Sequence, residues 1–296
     1  MSEETHRSGK LSVRSRTLLA LSVVVLLTAT LAMSACISNP AGKEKIILAT
    51  TTSTQDSGLL DYLIPKFEKK YNVDVKVISV GSGQAIALGK TGDADVLLVH
   101  SKQAELDFVA GGWGMYRKDV MYNWFMIVGP GSDPVGVSGM NNTITAFKAI
   151  AWAGANGTAI FCSRGDASGT NTKELGYWNK TGKTPDPKTD AWYLNLSQGM
   201  GETLTTCNEK KAYTLSDSAT WWSMTDNLPN LKILLQNDTT NLKNQYGVIP
   251  VNGSAGKHVN TKLGLKFAEW IVGPDTQQII AQYKRHDQQL FFPNAS

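Results

Sequence analysis

Cysteine and histidine are scarce in this chain, with three Cys and four His in 296 residues. No Cys-x-x-Cys pair occurs, and His6, His100, His258 and His286 are scattered, so the spacing of a structural zinc site is missing. A strong charge of either sign is missing too. Charged residues make up 18% of the chain and the net charge is +4; four cations and two acids lie before Cys36, leaving +2 for the remainder. Nucleic-acid binding asks for a clustered basic field, which this balance excludes. With 42% hydrophobic residues, disorder and low complexity are excluded as well. Beyond Cys36 each apolar run is short and broken by Gly, Pro or charge, so none could span a bilayer.

The first 35 residues differ from the rest. Arg7, Lys10, Arg14 and Arg16 precede an uncharged stretch, Leu18 to Ala35, that ends in small residues before Cys36. A basic start, an apolar middle and small residues before a cysteine make a secretion signal, here 1–35. The ending resembles a lipobox, which implies lipidation of Cys36 and a lipid-anchor spacer over 36–44; the alternative is an anchor helix retained uncleaved. Either way the remainder is expected outside the cytoplasmic membrane, anchored to its outer face. Asn-x-Ser/Thr recurs at Asn141, Asn156, Asn179, Asn195, Asn237, Asn252 and Asn294, either as glycosylation sites on an exported surface or as a Thr- and Asn-rich composition. Cys162 and Cys207 read as one disulfide or, by preference, as two buried thiols.

Lys45 to Ala49 reads as a buried strand, Leu59 to Phe67 as an amphipathic helix, Val73 to Val80 as a second strand, Ala85 to Gly89 as a helix and Val96 to Val99 as an all-apolar strand. This rhythm implies an α/β fold with a largely parallel sheet. Met121 to Val128 is another strand, after which the rhythm resumes. Thr158 to Cys162, Ala212 to Leu215 and Leu231 to Leu235 read as strands, a helix begins near Asn171, another covers Gly199 to Lys211, and two close the chain between Thr261 and Tyr283. Crossings near 125–132 and 243–250 give a discontinuous lobe I, 45–128 plus 245–296, and a lobe II, 129–244.

Three loops each follow a strand, precede a helix and are crowded with hydroxyls or glycine: Thr50 to Thr54, Gly81 to Gln84, and Ser163 to Thr170. Ligands of open α/β sheets gather at the carboxyl ends of the strands. Helix N-termini there present unpaired N–H groups and partial positive charge, which suit an anion. Arg164 is the formal cation of the three loops. Together they describe a donor cage for a small oxyanion.

At this point the residues resemble a family. Leu48-Ala-Thr-Thr-Thr-Ser-Thr-x-x-Ser-Gly-Leu59, Gly81-x-Gly-Gln-Ala85, Gly92-Asp-Ala-Asp-Val-Leu-Leu-Val-His100, Ser163-Arg-Gly-Asp-x-Ser-Gly-Thr170 and Gly199-Met-Gly-x-Thr-Leu204 are similar to the tungstate-binding proteins of tungstate ABC transporters. So are Ala212-Tyr-Thr-Leu-Ser-Asp217 and Tyr246-Gly-Val-Ile249, and the likeness runs over about 45–293. The resemblance implies a two-lobed type II periplasmic-binding-protein fold, each lobe a mostly parallel sheet flanked by helices. It also implies closure on tungstate, with molybdate as a further ligand, no cofactor and no catalysis. An ABC permease and its ATPase are the implied partners, and the chain is expected to be a monomer. By position, Thr51, Thr52, Ser53, Ser82, Arg164, Ser168 and Thr170 would face the anion. Cys162, Cys207 and the stretch Ser216 to Ala219 are the departures from the pattern.

Phosphate is the alternative ligand, since Arg164-x-Asp166-x-Ser168-Gly-Thr170 also resembles phosphate-binding proteins, where an aspartate accepts the ligand's proton. Tungstate has no proton to offer at neutral pH, so the discriminator is whether Asp166 faces the anion or pairs with Arg164. A secreted hydrolase using Ser168 would need a positioned base, and neither His100 nor His258 stands in a triad context. Adhesion through Arg164-Gly165-Asp166 rests on a match common by chance. Cys36→Ser is expected to release the protein from membranes or block its processing while leaving ligand binding unchanged. Fractionation that finds both forms membrane-bound with the leader attached would favour the uncleaved helix.

Overall fold

Ile46, Leu48 and Ala49 are apolar enough to need burial, and all three are buried in the strand Glu44–Thr51 (β1) of the computed structural model. The structure describes residues 42–256 and 258–295, and Glu44 onward forms one unit. The signal peptide, Cys36 and most of the expected spacer lie outside the described residues. A short helix, Thr52–Asp56 (α1), leaves β1 at once because the Thr51 hydroxyl accepts the N–H of Thr54 and caps it. Leu59–Tyr71 (α2) buries Leu59, Leu60, Leu63, Ile64 and Phe67 along one face. Val73–Val80 (β2), Ser82–Thr91 (α3), Val96–Val99 (β3) and Lys102–Ala110 (α4) follow. Both β2 and β3 pair in parallel with β1, and β3 is buried throughout, as a strand covered on both faces must be.

The long strand Lys118–Pro130 (β4) leads to a second group of elements: Thr143–Ala155 (α5), Phe161–Ser163 (β5), Gly169–Thr181 (α6), Tyr193–Asn195 (β6), Met200–Lys210 (α7), Thr214–Asp217 (β7), Ser218–Met224 (α8) and Leu231–Leu235 (β8). Lys243–Pro250 (β9) returns to the first group, where Thr261–Val272 (α9) and Pro274–Ala281 (α10) pack. Three two-residue strands end the chain: Lys284–Arg285 (β10), Gln288–Gln289 (β11) and Phe292–Pro293 (β12). β4 pairs antiparallel with β9 in its first half and with β7 and β8 in its second. β9 in turn pairs antiparallel with β3, and the result is one eight-stranded sheet. The α/β fold is thus the expected one. Parallel pairing occurs at β1, β2 and β3 and at β5 with β6, while the strands that carry the chain between groups run antiparallel.

Several details differ from the sequence expectation, in which α4, β6 and α8 have no counterpart. The strand read over Thr158 to Cys162 begins only at Phe161, because the Thr158 N–H and hydroxyl both bond to Ala153 O and close α5. α5 itself went unread. Alanines blur its apolar face and Trp152 stands 72% exposed, yet Asn142 caps it by accepting the Thr145 N–H.

Apolar side chains of β1, α2, α9 and the C-terminal segment form one core, which includes Phe67, Phe267, Ile271 and Phe291. A second is built from the middle of the chain around Trp178, whose ring lies 4.4 Å from Phe147 and 5.1 Å from Phe161. The Trp178 indole N–H donates to Glu174 Oε1 at 2.8 Å. Trp178→Ala is expected to lower the unfolding free energy in urea titration by about 3–5 kcal/mol, the usual cost of emptying an aromatic core position. Trp178→Phe should cost less, though it removes a donor from Glu174.

Candidate functional site

The three hydroxyl- and glycine-rich loops, remote in sequence, meet at the carboxyl ends of β1, β2 and β5. Thr51, Ser53, Ser82, Arg164, Ser168 and Thr170 are each at most 1% exposed, an unusual fate for so many polar side chains. Thr52 is half-buried, and its hydroxyl accepts from Arg164 Nη2 at 2.9 Å, joining the first loop to the third. The second loop joins them by backbone approach. A Cβ on Gly81 would stand 2.9 Å from the Asp166 carbonyl oxygen, so only glycine lets these chains come so close. The third loop carries backbone strain: Ala167 is held at φ +53°.

Within the first loop the hydroxyls divide their work. Thr50 donates to Leu98 O and faces the sheet. Thr51 Oγ1 lies 2.7 Å from Thr54 Oγ1 and 3.2 Å from Ser53 Oγ. In the third loop Ser168 Oγ accepts the Asn171 N–H at the start of α6, which leaves its own proton free to donate. Behind it Ser163 donates to Glu174 Oε2 at 2.7 Å and accepts from Asn171 Nδ2, so this wall rests on a buried carboxyl. Burial pushes the Glu174 carboxyl up to about 7.

Asp166 pairs with Arg164. Its Oδ2 accepts from Arg164 Nη2 at 2.5 Å and its Oδ1 accepts the Ser168 N–H at 3.2 Å, so both oxygens are engaged in their own loop. Arg164 Nε and Nη1, Ser82 Oγ and Thr170 Oγ1 are buried without a hydrogen-bond partner. Unpaired buried donors cost about 1–3 kcal/mol each, and native proteins rarely keep several in one place unless a ligand answers them.

Two hollows flank these loops. One, of about 260 Å³, is lined by His100, Lys102, Lys173 and Lys180 among others. The other, of about 490 Å³, has Asp56 and Glu202 in its wall, with Asp56 Oδ2 accepting the Gly201 N–H at 3.2 Å. Burial raises the Asp56 carboxyl. Among the described residues no three His, Cys, Asp or Glu side chains gather as a cation site.

Sequence reasoning passed over two buried groups here. His100 was set aside as a scattered histidine, yet it lies at the end of β3 with Nε2 3.3 Å from Ser53 Oγ. Its position after an all-apolar strand was the available signal. Asp217, quoted in the family resemblance and again among the departures from it, is wholly buried. It caps α8 by accepting the Thr220 N–H, and it also accepts from Asn123 Nδ2 at 3.2 Å. Burial raises its carboxyl, while Arg164 acts in the opposite direction.

An α/β chain that buries polar donors from remote loops at the carboxyl ends of its strands has the make-up of an anion-gripping solute-binding protein. The family comparison agrees: a PBP superfamily domain model matches residues 37–275. The tungstate-binding protein TupA of Peptoclostridium acidaminophilum is 44% identical over 95% of this chain and 99% of its own. The crystal structure of the tungstate ABC transporter from Geobacter sulfurreducens aligns with TM-score 0.71 and 45% identity, covering 81% of this chain and 99% of that one. The tungstate-binding protein TupA from Desulfovibrio alaskensis G20 aligns with TM-score 0.68 and 40% identity, covering 86% and 100% respectively. The chain belongs to the PBP superfamily, in the family of these solute-binding relatives, which are binding proteins and not enzymes.

Arg164→Ala is expected to weaken oxyanion binding in calorimetric titration by about 2–5 kcal/mol, and Arg164→Lys by less. Lysine keeps the charge but not the planar fork. A lowered melting temperature with affinity within a few-fold of the parent would assign Arg164 to bracing Asp166 alone.

Proposed function

We propose that this protein captures tungstate outside the cytoplasmic membrane and delivers it to the permease and ATPase of an ABC importer. The observation that carries this reading is the buried, unpartnered donor set of Arg164 Nε and Nη1, Ser82 Oγ and Thr170 Oγ1. Thr51, Thr52, Ser53 and Ser168 complete the proposed cage. The identity to tungstate-binding relatives supports tungstate as the ligand, and molybdate, of nearly the same size, fits the same cage. The engagement of both Asp166 oxygens within their own loop favours an unprotonated oxyanion over hydrogen phosphate, because the aspartate that would accept the phosphate proton is already paired with Arg164.

The anion loses its water and receives hydroxyl and N–H donors with one guanidinium in exchange. Such a trade needs both walls at once, so binding and closure of lobe I (45–128 plus 245–296) on lobe II (129–244) are coupled. Lys102, Lys173 and Lys180 around one hollow supply an attracting field for an approaching anion. Among the described residues no helix is long and apolar enough to cross a membrane, and lipidated Cys36 is the proposed anchor of a monomeric binding protein.

Parallel calorimetric titration with tungstate, molybdate, sulfate and phosphate tests this function. Tungstate and molybdate are expected to bind saturably at one site. Sulfate, with shorter bonds to oxygen, leaves buried donors unfilled at about 1–3 kcal/mol each and should bind far more weakly. Comparable affinity for sulfate and tungstate would sink the reading.

A further inference from the structure

His100 is the buried polar side chain beside the cage that the proposed function leaves without a role. It is 6% exposed, its ring centroid lies 4.8 Å from that of Tyr246 and 6.3 Å from that of Phe125, and its Nε2 stands 3.3 Å from Ser53 Oγ. Nδ1 has no hydrogen-bond partner. The first residue of α6 lies directly against that nitrogen, since a Cβ on Gly169 would come within 2.6 Å of it.

We infer that His100 is a positioning residue of the oxyanion site: as the neutral tautomer protonated at Nε2, it donates to Ser53 Oγ and turns the Ser53 proton toward the anion. The surroundings of Nδ1 favour this tautomer, and the needs of an anion cage agree with it. The opening turn of α6 presents N–H groups without intrahelical partners and the positive end of a helix dipole, so a bare lone pair at Nδ1 is favoured there and an N–H is opposed. An anion cage also needs donors. Were Nε2 bare, Ser53 would spend its only proton on His100 and offer lone pairs to the ligand; with Nε2 protonated, the hydroxyl accepts from His100 and also from Thr51 Oγ1, 3.2 Å away, and its proton can turn to the anion.

Burial and Arg164 outweigh Asn244 and Asp166, which favour the charged form, and keep the ring uncharged. Arg164 and Asp166 face it from the third loop, Asn244 and Tyr246 from β9, Phe125 from β4 and Ser53 from α1. Burial, and then the Arg164 guanidinium, hold its pKa down at about 3. His100 therefore adds no charge beside Arg164 and the lysines of the adjoining hollow, and contributes direction instead.

The inference rests on the oxyanion reading of the site, and two measurements separate their failures. In the full chain, labelled with 15N-histidine and held in detergent, His100 (assigned by its loss in His100→Gln) is expected to show a protonated Nε2 and a bare Nδ1. Without ligand that pattern should persist from pH 7 to pH 5. A ligand-free His100 protonated at Nδ1, or charged by pH 5, overturns the inference whatever the protein binds. Sodium tungstate titration supplies the second test. His100→Gln, whose amide can still donate to Ser53, should keep affinity within about threefold. His100→Phe, which cannot donate, should lose about tenfold, as expected for one misdirected hydrogen bond to a charged ligand. Equal affinity of the two variants for tungstate would overturn it as well. Absence of tungstate binding by the parent protein would instead count against the proposed function, and the nuclear resonance result would still decide the tautomer.

Discussion

An oxyanion taken out of water keeps its charge, so each oxygen that leaves solvent has to meet a donor. Arg164 alone cannot answer that demand, because its guanidinium is already shared with Asp166 and Thr52. What remains is a set of hydroxyl and N–H dipoles that must converge from separate loops. The surrounding carboxyls fit the same constraint. Burial shifts Asp56, Asp217 and Glu174 all upward, so the charged form of each carboxyl is disfavoured beside the site.

Convergent donors are useful only if they cannot rotate away, and a second layer of polar contacts holds them. On one side Glu174 collects the Ser163 hydroxyl, the Trp178 indole and the Tyr193 hydroxyl, fixing the base of the strained Ser163 to Thr170 loop to the aromatic core. On the other, Asn123 of β4 donates to Asp217 and accepts from Asn244 of β9, whose amide also donates to the Tyr246 hydroxyl. Asn123, Asn244 and Tyr246 lie on the strands that carry the chain between its two groups of elements. The same strands therefore supply both the covalent connection and the polar floor next to Ser53 and His100. Packing density converts into direction here, because a side chain locked by core neighbours keeps its hydrogen-bonding vector.

Much of the fold was legible because apolar periodicity is a local property. β1 and β3 could be read from the apolar runs at Ile46 and Val96, α2 from the helical spacing that begins at Leu59, and β2 from its alternation, in which Asp74 and Lys76 are exposed. α5 escaped because alanine serves core and surface alike. The Thr158 boundary escaped because a hydrogen bond to Ala153, not hydrophobicity, set it. The antiparallel pairing of β4 with β7, β8 and β9 has no local signature, for strand direction depends on where the chain returns.

The candidate site divides along the same line. Residue type and position at strand ends marked, from sequence alone, Thr51 to Ser53, Ser82 and Arg164 to Thr170 as candidates for a small-anion site, because small hydroxyls and glycine before helix N-termini suit such a ligand. Only the tertiary structure decided that Asp166 turns to Arg164, that Thr52 meets that arginine, and that His100 lies against both Ser53 and Gly169. The last two of those outcomes depend on contacts between segments remote along the chain. Chain composition fixes which donors exist, but the closing of three loops on one another fixes where each proton points.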